Sequence, residues 1–240
     1  MQKLVSSGLK PLGGSKLKPI PSQDSPKSAR RGTASASDAS GLADYFRHHN
    51  TLVYGLPKSG KSTLLDSLGA IVWATERGWN AIGADKVNYV DPKEVKKPLV
   101  FGDLGIDSGD IVALDTVDEL HRMCVTSACK SLHIETIGDA QWNKGRDLKN
   151  KIFADYLAPF LKHEGGSILV CHAREVTVKN REVLRPNALD KAATFALEAA
   201  ADTIAFLDID DRKLWFHHCP FASAASRFAN DLPSYVDLEN

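Results

Sequence analysis

The sequence is short of the features that would hold it in a membrane or staple it together. No apolar run approaches the roughly 20 residues that a bilayer-spanning helix needs, so no membrane is expected among its partners. Only four cysteines occur, Cys124, Cys129, Cys171 and Cys219, and no two of them form a C-x-x-C pair. That scatter points away from a zinc site or a disulfide framework, and toward reduced, mostly buried thiols in a cytoplasmic protein. Net charge is missing too, because 30 cationic residues meet 30 anionic ones. The balance is uneven along the chain. Up to Asp38, seven Lys and Arg residues face two Asp, a surplus of +5 that leaves −5 for the remainder. A mildly acidic body excludes a body-wide nucleic-acid surface. There is no internal repeat.

What is present first divides the chain in two. Residues 1–39 are rich in Ser, Gly, Pro and Lys and nearly devoid of aromatic and β-branched residues. Such a segment cannot bury enough apolar surface to offset its ordering entropy, so a disordered basic tail is expected. Its Ser-rich, acid-poor composition overlaps with that of a transit peptide, but its apolar residues are too sparse for an amphipathic helix. A solvated tail is the preferred reading, with a basic arm touching nucleic-acid phosphates as the alternative. Residues 40–240 have the composition of an ordinary soluble domain.

Within 40–240 the pattern alternates strand and helix. Gly41–His49 reads as a lead-in helix, Thr51–Tyr54 as a strand, Lys61–Leu68 as a helix and Ala70–Ala74 as a second strand. Asp110–Leu114 is a third strand, followed by a helix over Val117–Leu132. A longer helix over Asp147–His163 carries Leu148, Ile152, Tyr156 and Phe160 on one stripe. Ser167–Cys171 is a fourth strand and Leu189–Ala200 a helix. Thr203–Ile209 and Lys213–His217 form a closing strand pair joined at Asp210-Asp211. Alternation of this kind predicts an α/β fold, a largely parallel central sheet flanked by helices.

The strongest motif is Gly55-Leu56-Pro57-Lys58-Ser59-Gly60-Lys61-Ser62, with Thr63 next in line; it matches G-x-x-x-x-G-K-[ST] at every fixed position. It follows an apolar strand and opens a helix containing Leu64, Leu65 and Leu68, the context a phosphate-binding loop requires. Gly55 and Gly60 allow successive backbone N–H groups to point into one concavity. Phosphate oxygens are expected there, with Lys61 reaching the β- and γ-phosphates of ATP and the Ser62 hydroxyl ligating Mg2+. A second magnesium anchor is expected at the end of a neighbouring strand, and Ile111-Val112-Ala113-Leu114-Asp115 supplies it in Asp115.

Hydrolysis needs a carboxylate to orient or deprotonate water. Position 116 is Thr, so that group must come from elsewhere. Glu76, just past the second strand, is well placed, because ligands of open α/β sheets sit off the carboxyl ends of the strands. Asp118 and Glu119 are rivals, read as solvated on the following helix. His172, after the fourth strand, reads either as a γ-phosphate sensor or as an ordinary histidine at a sheet edge. His217-His218 beside Cys219 lacks a second ligand pair and reads as structural.

Together these residues resemble the RecA-like branch of P-loop ATPases, and within it the AAA-domain nucleotide-binding proteins of tailed phages, which include single-strand annealing recombinases. The resemblance rests on Val53 to Thr63, on Trp73-Ala74-Thr75-Glu76-Arg77-Gly78, on Ala113 to Leu120, and on Leu169-Val170-Cys171-His172-Ala173-Arg174-Glu175. Ala201-Asp202-Thr203-Ile204-Ala205 and Ser226-Arg227-Phe228 fit the same plan. It implies a RecA-like fold from about residue 50 onward and a water-activating role for Glu76. It also implies ATP sites between subunits of a homo-oligomer, with Arg227 as the basic residue that completes a neighbour's site. Two features depart from the pattern: the polar run Arg77-Gly78-Trp79-Asn80, and the lack of a clear aromatic-and-basic DNA-binding loop.

The leading functional expectation is an ATP-hydrolysing protein that assembles on single-stranded DNA in phage recombination or replication, in a bacterial host cytoplasm. A small-molecule kinase is a second reading, with Arg174, Arg181 and Arg185 as a phosphate-clamping lid. A third is a non-hydrolysing annealing module with ATP as a structural ligand. Asn143-Lys144-Gly145-Arg146 lacks the acid of a guanine-reading N-K-x-D, which argues against a GTPase.

Overall fold

The structure is a computed structural model that describes residues 39–82, 86–187, 190–228 and 232–238. The chain divides into two units, Met1–Gly32 and Thr33–Asn240. The first unit, and with it the expected basic tail up to residue 38, lies outside the described residues.

In chain order its elements are α1 (Ala39–Phe46), β1 (Asn50–Gly55), α2 (Lys61–Ser67), β2 (Ile71–Ala74), β3 (Val87–Tyr89) and β4 (Val112–Asp115). There follow α3 (Val117–Leu132), α4 (Lys144–Lys162), β5 (Ser167–Val178), β6 (Arg181–Asn187) and α5 (Lys191–Ala200). The last are β7 (Thr203–Asp208), β8 (Lys213–Trp215), β9 (Ala225–Ser226) and β10 (Tyr235–Asp237). The strands form one sheet in the order β10-β8-β7-β1-β5-β4-β2-β3, with β6 added to β5 and β9 to β7. From β3 across to β7 every pairing is parallel; β6, β8, β9 and β10 join antiparallel.

This is the α/β architecture the alternation predicts, including the closing β7–β8 pair. The strand ending in Asp115 does not touch the strand that feeds the phosphate loop. β5 lies between them.

The central strands are buried on both faces, which is why they read as near-continuous apolar runs. Alternate residues feed two cores. Leu52, Tyr54, Leu114, Leu169 and Cys171 pack with Leu120, Cys124 and Ala128 of α3 and Ile152, Tyr156 and Phe160 of α4. Val53, Ala113, Ile168 and Val170 face the other way, onto Leu64 and Leu65 of α2 and Leu42 and Phe46 of α1. The spacing of Leu120, Cys124 and Ala128 is the one-face stripe of a helix. α3 begins where it does because the Thr116 side chain accepts from the Glu119 N–H, and α5 because the Asp190 carboxylate accepts from the Ala193 N–H.

One element departs from expectation. Residues 174–187, where the sequence pattern assigns no strand, form the outer part of a β5–β6 hairpin. β5 pairs with β1 only up to His172 and with β4 only up to Val170, so residues 173–178 run past both neighbours beyond the carboxyl edge of the sheet. Val178 and Arg181 are cross-strand partners, which leaves Lys179 and Asn180 as a two-residue turn, both with positive φ. Tyr54 holds the middle of the hairpin, its hydroxyl proton shared between the carbonyls of Leu184, opposite Glu175, and Ser223.

Candidate active site

The loop after β1 closes tightly around its own residues. A methyl group on Gly55 would meet Ser59 Oγ at 2.6 Å and the Leu207 carbonyl oxygen at 2.7 Å, so the strand end tolerates no side chain there. Gly60 caps α2 with φ 89°, a left-handed conformation that glycine adopts without strain. Leu56, Pro57 and Lys58 are exposed, Ser59 is buried, and Thr63 is exposed on the first turn of α2.

Lys61 is 6% exposed, its side chain folded back over the loop rather than projecting freely. Its ammonium donates to the carbonyls of Gly55 (3.1 Å) and Leu56 (2.7 Å) and lies 3.3 Å from Ser59 Oγ. Burial pulls its pKa down, and the Asp115 carboxylate opposes that pull. Held this way, the ammonium is turned back onto the loop's own carbonyls.

Asp115 ends β4 beside this loop, and the Ser62 hydroxyl donates to its Oδ2 at 2.7 Å. Burial pushes the Asp115 carboxyl up, against the donors Ser62 and Trp79 and the Lys61 charge. A hydroxyl and a buried carboxylate in contact are hard oxygen donors, the ligand type Mg2+ takes, and a divalent charge offsets the cost of the buried anion. The residues present therefore fit a magnesium ion held by Ser62 and Asp115.

Glu76 follows β2, the strand next to β4, and its segment is tied to the end of β4. The Thr75 N–H donates to the Asp115 carbonyl at 2.8 Å, and the Thr116 N–H to Thr75 Oγ1 at 2.7 Å. The Thr75 hydroxyl in turn donates to the Thr116 carbonyl, and the Thr116 hydroxyl to Glu76 Oε1 at 3.3 Å. Glu76 itself is exposed. Across from it, His172 Nδ1 donates to Asp118 Oδ2 at 2.8 Å. One ligating atom each from Glu76, Asp118 and His172 lie within 4.8 Å of one another. An exposed carboxylate, a half-buried imidazole and the carboxylate that orients it thus flank the open side of the loop, an arrangement able to position water and to contact a terminal phosphate.

Residues 47–228 match the AAA domain family. The chain belongs to that family. With the loop and the sheet order, this makes it a P-loop nucleotide-binding domain of ATPase type. No curated protein matches the chain. Among solved structures, the AAA domain here is similar to a prototypical ATPase from the type III secretion system of pathogenic bacteria (14% identity, TM-score 0.46), covering 77% of this chain and 58% of that one. It thus spans less than two thirds of that protein's length. It is also similar to a Pyrococcus horikoshii OT3 protein (11% identity, TM-score 0.45, 85% of this chain and 100% of that one). A further likeness is to the flagellar accessory protein FlaH from Methanocaldococcus jannaschii (12% identity, TM-score 0.33, 71% of this chain and 77% of that one).

The AAA domain thus brings Gly55 to Thr63, Glu76, Asp115 and His172 to one end of the sheet. Arg227 stands apart. Its backbone N–H donates to the Asp202 carbonyl, and its guanidinium bonds the Ala199 carbonyl at 2.5 Å and approaches Asp202 Oδ1 at 3.4 Å. Its neighbour Ser226 pairs with Thr203 at the amino end of β7, whereas the loop follows Gly55, opposite Leu207. Four residues of strand, roughly 13 Å, separate the two ends, so Arg227 does not reach its own chain's loop.

Three participants are not evident from the sequence. Asp118 is not solvated but 2% exposed and paired with His172. Its signal is position: the first turn of a helix that starts at the carboxyl end of a central strand lies over the neighbouring strand's end. Trp79 and the Thr75–Thr116 bracket join residues about 40 positions apart, and no local pattern announces them. The cysteines behave as expected: Cys124, Cys129 and Cys171 are buried, and burial pushes the Cys124 thiol up to about 12. His217 bonds the Leu232 carbonyl, consistent with a structural role. Two surface hollows of about 490 and 300 Å3 lie along residues 89–108 and α4 and contain no residue of the phosphate loop. No described helix is long and apolar enough to cross a membrane.

Proposed function

We propose that this AAA domain binds ATP with Mg2+ at residues 55–63, hydrolyses it, and acts on single-stranded DNA as an assembly of copies. The observation that carries the catalytic part is the Ser62–Asp115 contact at 2.7 Å, with Glu76 bound through Thr116 to the same strand end. Mg2+ held by Ser62 and Asp115 supplies neutralisation of the charge on the β- and γ-phosphates. Lys61 is the donor within reach of those phosphates. Glu76 keeps one carboxylate oxygen on Thr116 and offers the other to water as general base. His172, oriented through Nδ1 by Asp118, presents Nε2 toward the terminal phosphate.

Single-stranded DNA is supported by two surface features. Trp142 is 88% exposed, just before Lys144 and Arg146, both exposed, at the start of α4. An exposed indole flanked by cations is the stacking-plus-phosphate combination that sequence-tolerant DNA binding uses. Farther along α4, Lys149 reaches Asp190 just after β6, so α4 begins near the end of the sheet that carries the site. On the hairpin, Arg174 and Arg185 stand directly opposite each other, a like-charge pair that a polyanion relieves. The setting in phage recombination or replication, and the host cytoplasm, follow from the sequence resemblance alone. A role for Arg227 at a neighbour's phosphates requires copies stacked with the amino end of one sheet over the carboxyl end of the next.

Turnover of ATP with and without single-stranded DNA tests the proposal. DNA-stimulated release of phosphate is expected. Phosphate transfer to a metabolite instead would make the domain a kinase, and ATP binding without turnover a non-hydrolysing module.

A further inference from the structure

The Asp115 carboxylate has a second donor that the resemblance does not account for. Trp79, in the turn Arg77–Ala81 after Glu76, donates its indole N–H to Asp115 Oδ2 at 2.9 Å, the same oxygen that accepts from Ser62. The indole is 3% exposed although Gly78 and Asn80 beside it are exposed. It packs in the core that holds Leu64 and Leu65, the residues that seat the phosphate-loop helix. A buried indole needs a partner for its N–H, and here that partner is the carboxylate.

We propose that Trp79 is a positioning residue for the magnesium-holding carboxylate, an inference that rests on the nucleotide site proposed above. An indole N–H donates but neither accepts nor ligates a metal, so it constrains Oδ2 without competing for the cation. Its ring shares the core with α2, so it fixes Asp115 relative to Ser62, the other magnesium ligand. It also closes the segment 75–79 onto β4 from the far side. Glu76 is therefore held between the Thr75–Thr116 bracket and the Trp79–Asp115 bond. Outer partners of metal-ligating groups of this kind set ligand orientation and metal affinity.

The test is Trp79→Phe in the full chain, which keeps a buried ring and removes the donor. ADP binding is measured by calorimetry across a Mg2+ titration, beside wild type and Asp115→Asn. The expected result is a Mg2+ requirement raised by about ten- to a hundredfold, with ADP affinity in the absence of Mg2+ unchanged. If Asp115→Asn raises the requirement and folded Trp79→Phe does not, the positioning role is overturned while the nucleotide site stands. If neither does, the reading of Asp115 fails, and the inference with it. Indole 15N NMR of the wild-type protein provides a readout that does not depend on the variant folding. The Trp79 N–H resonance should move when Mg2+ is added to the ADP-bound protein, and an unmoved resonance overturns the proposal.

Discussion

Asp118 and His172 are joined by two hydrogen bonds across the end of the sheet, imidazole Nδ1 to Oδ2 at 2.8 Å and the His172 backbone N–H to Oδ1 at 3.3 Å. Burial alone would raise the Asp118 carboxyl, but the His172 imidazole together with backbone N–H donors holds the carboxyl below its usual range. In turn the Asp118 hydrogen bond raises the His172 pKa beyond what burial subtracts. Because that pKa lies above the unfolded value near 6.5, the stability it contributes is full below about pH 6.5 and is lost as pH rises through the folded value. Asp118→Asn should lower the His172 pKa, read by NMR titration, and shift the alkaline limb of ATP turnover to lower pH. An unchanged His172 titration would contradict the pairing.

Lys61→Met should weaken ATP binding by roughly ten- to a hundredfold, the loss of charge-assisted hydrogen bonds worth about 1.5–3 kcal/mol. Methionine suits this site better than alanine, because the lysine stem is buried and its removal would leave a void. Equilibrium binding of ATP to the folded variant is the measurement, and undiminished affinity would refute the loop assignment.

Glu76→Gln should retain ATP and lose turnover by about a hundredfold or more. Glu119 pairs with Arg122 on the surface of α3, so Glu119→Gln should change turnover little. The opposite ranking in a phosphate-release assay would move the general base onto α3.

Away from the site, Lys149 of α4 is buried against Asp190, with His121 Nε2 3.1 Å from its ammonium and 3.0 Å from Asp190 Oδ2. Burial would raise the Asp190 carboxyl, but the Ala193 N–H and Lys149 hold it down to about 2. A depressed carboxylate stabilises fully above the unfolded value near 3.9, and its contribution is lost as pH falls toward about 2. Burial, then the Lys149 charge, lowers the His121 pKa, so acidification below about pH 6.5 also costs stability as the unfolded histidine takes up protons first. Lys149→Met should flatten the acid limb of stability below about pH 4, measured by denaturant unfolding across pH. An unaltered acid limb would show that the cluster is not what titrates.

Trp142→Ala should weaken single-stranded DNA binding by about 1–3 kcal/mol per base stacked, without altering ATP turnover in the absence of DNA. Fluorescence anisotropy with a labelled oligonucleotide decides it, and unchanged affinity would remove Trp142 from the DNA surface.

The phosphate loop is legible in the sequence because its chemistry is local: eight consecutive residues set both the backbone path and the donors. Asp115 is legible for the same reason, as a carboxylate closing an apolar run. Trp79 is not, because its role depends on packing with α2 and on a carboxylate 36 positions away. The hairpin reads as a loop although alternation is visible in Val176, Val178 and Val183. Its outer residues are mostly exposed or half-buried, so no apolar stripe marks it as strand, and the turn at Lys179-Asn180 has no glycine. Asp118 reads as solvent-facing because a carboxylate in a helix's first turn usually is; only the tertiary position of His172 gives it a buried partner.

Because β5 is unbroken from His172 to the hairpin turn, the imidazole paired with Asp118 and the tip of the hairpin lie on one continuous strand. Seven strand residues span about 23 Å, so a tilt of about 10° at His172 displaces Lys179 by about 4 Å. Tyr54, bonded to Leu184 opposite Glu175, holds the hairpin near its middle. Geometry alone thus makes the hairpin tip the place where a change of strand direction at the carboxyl edge of the sheet is most enlarged.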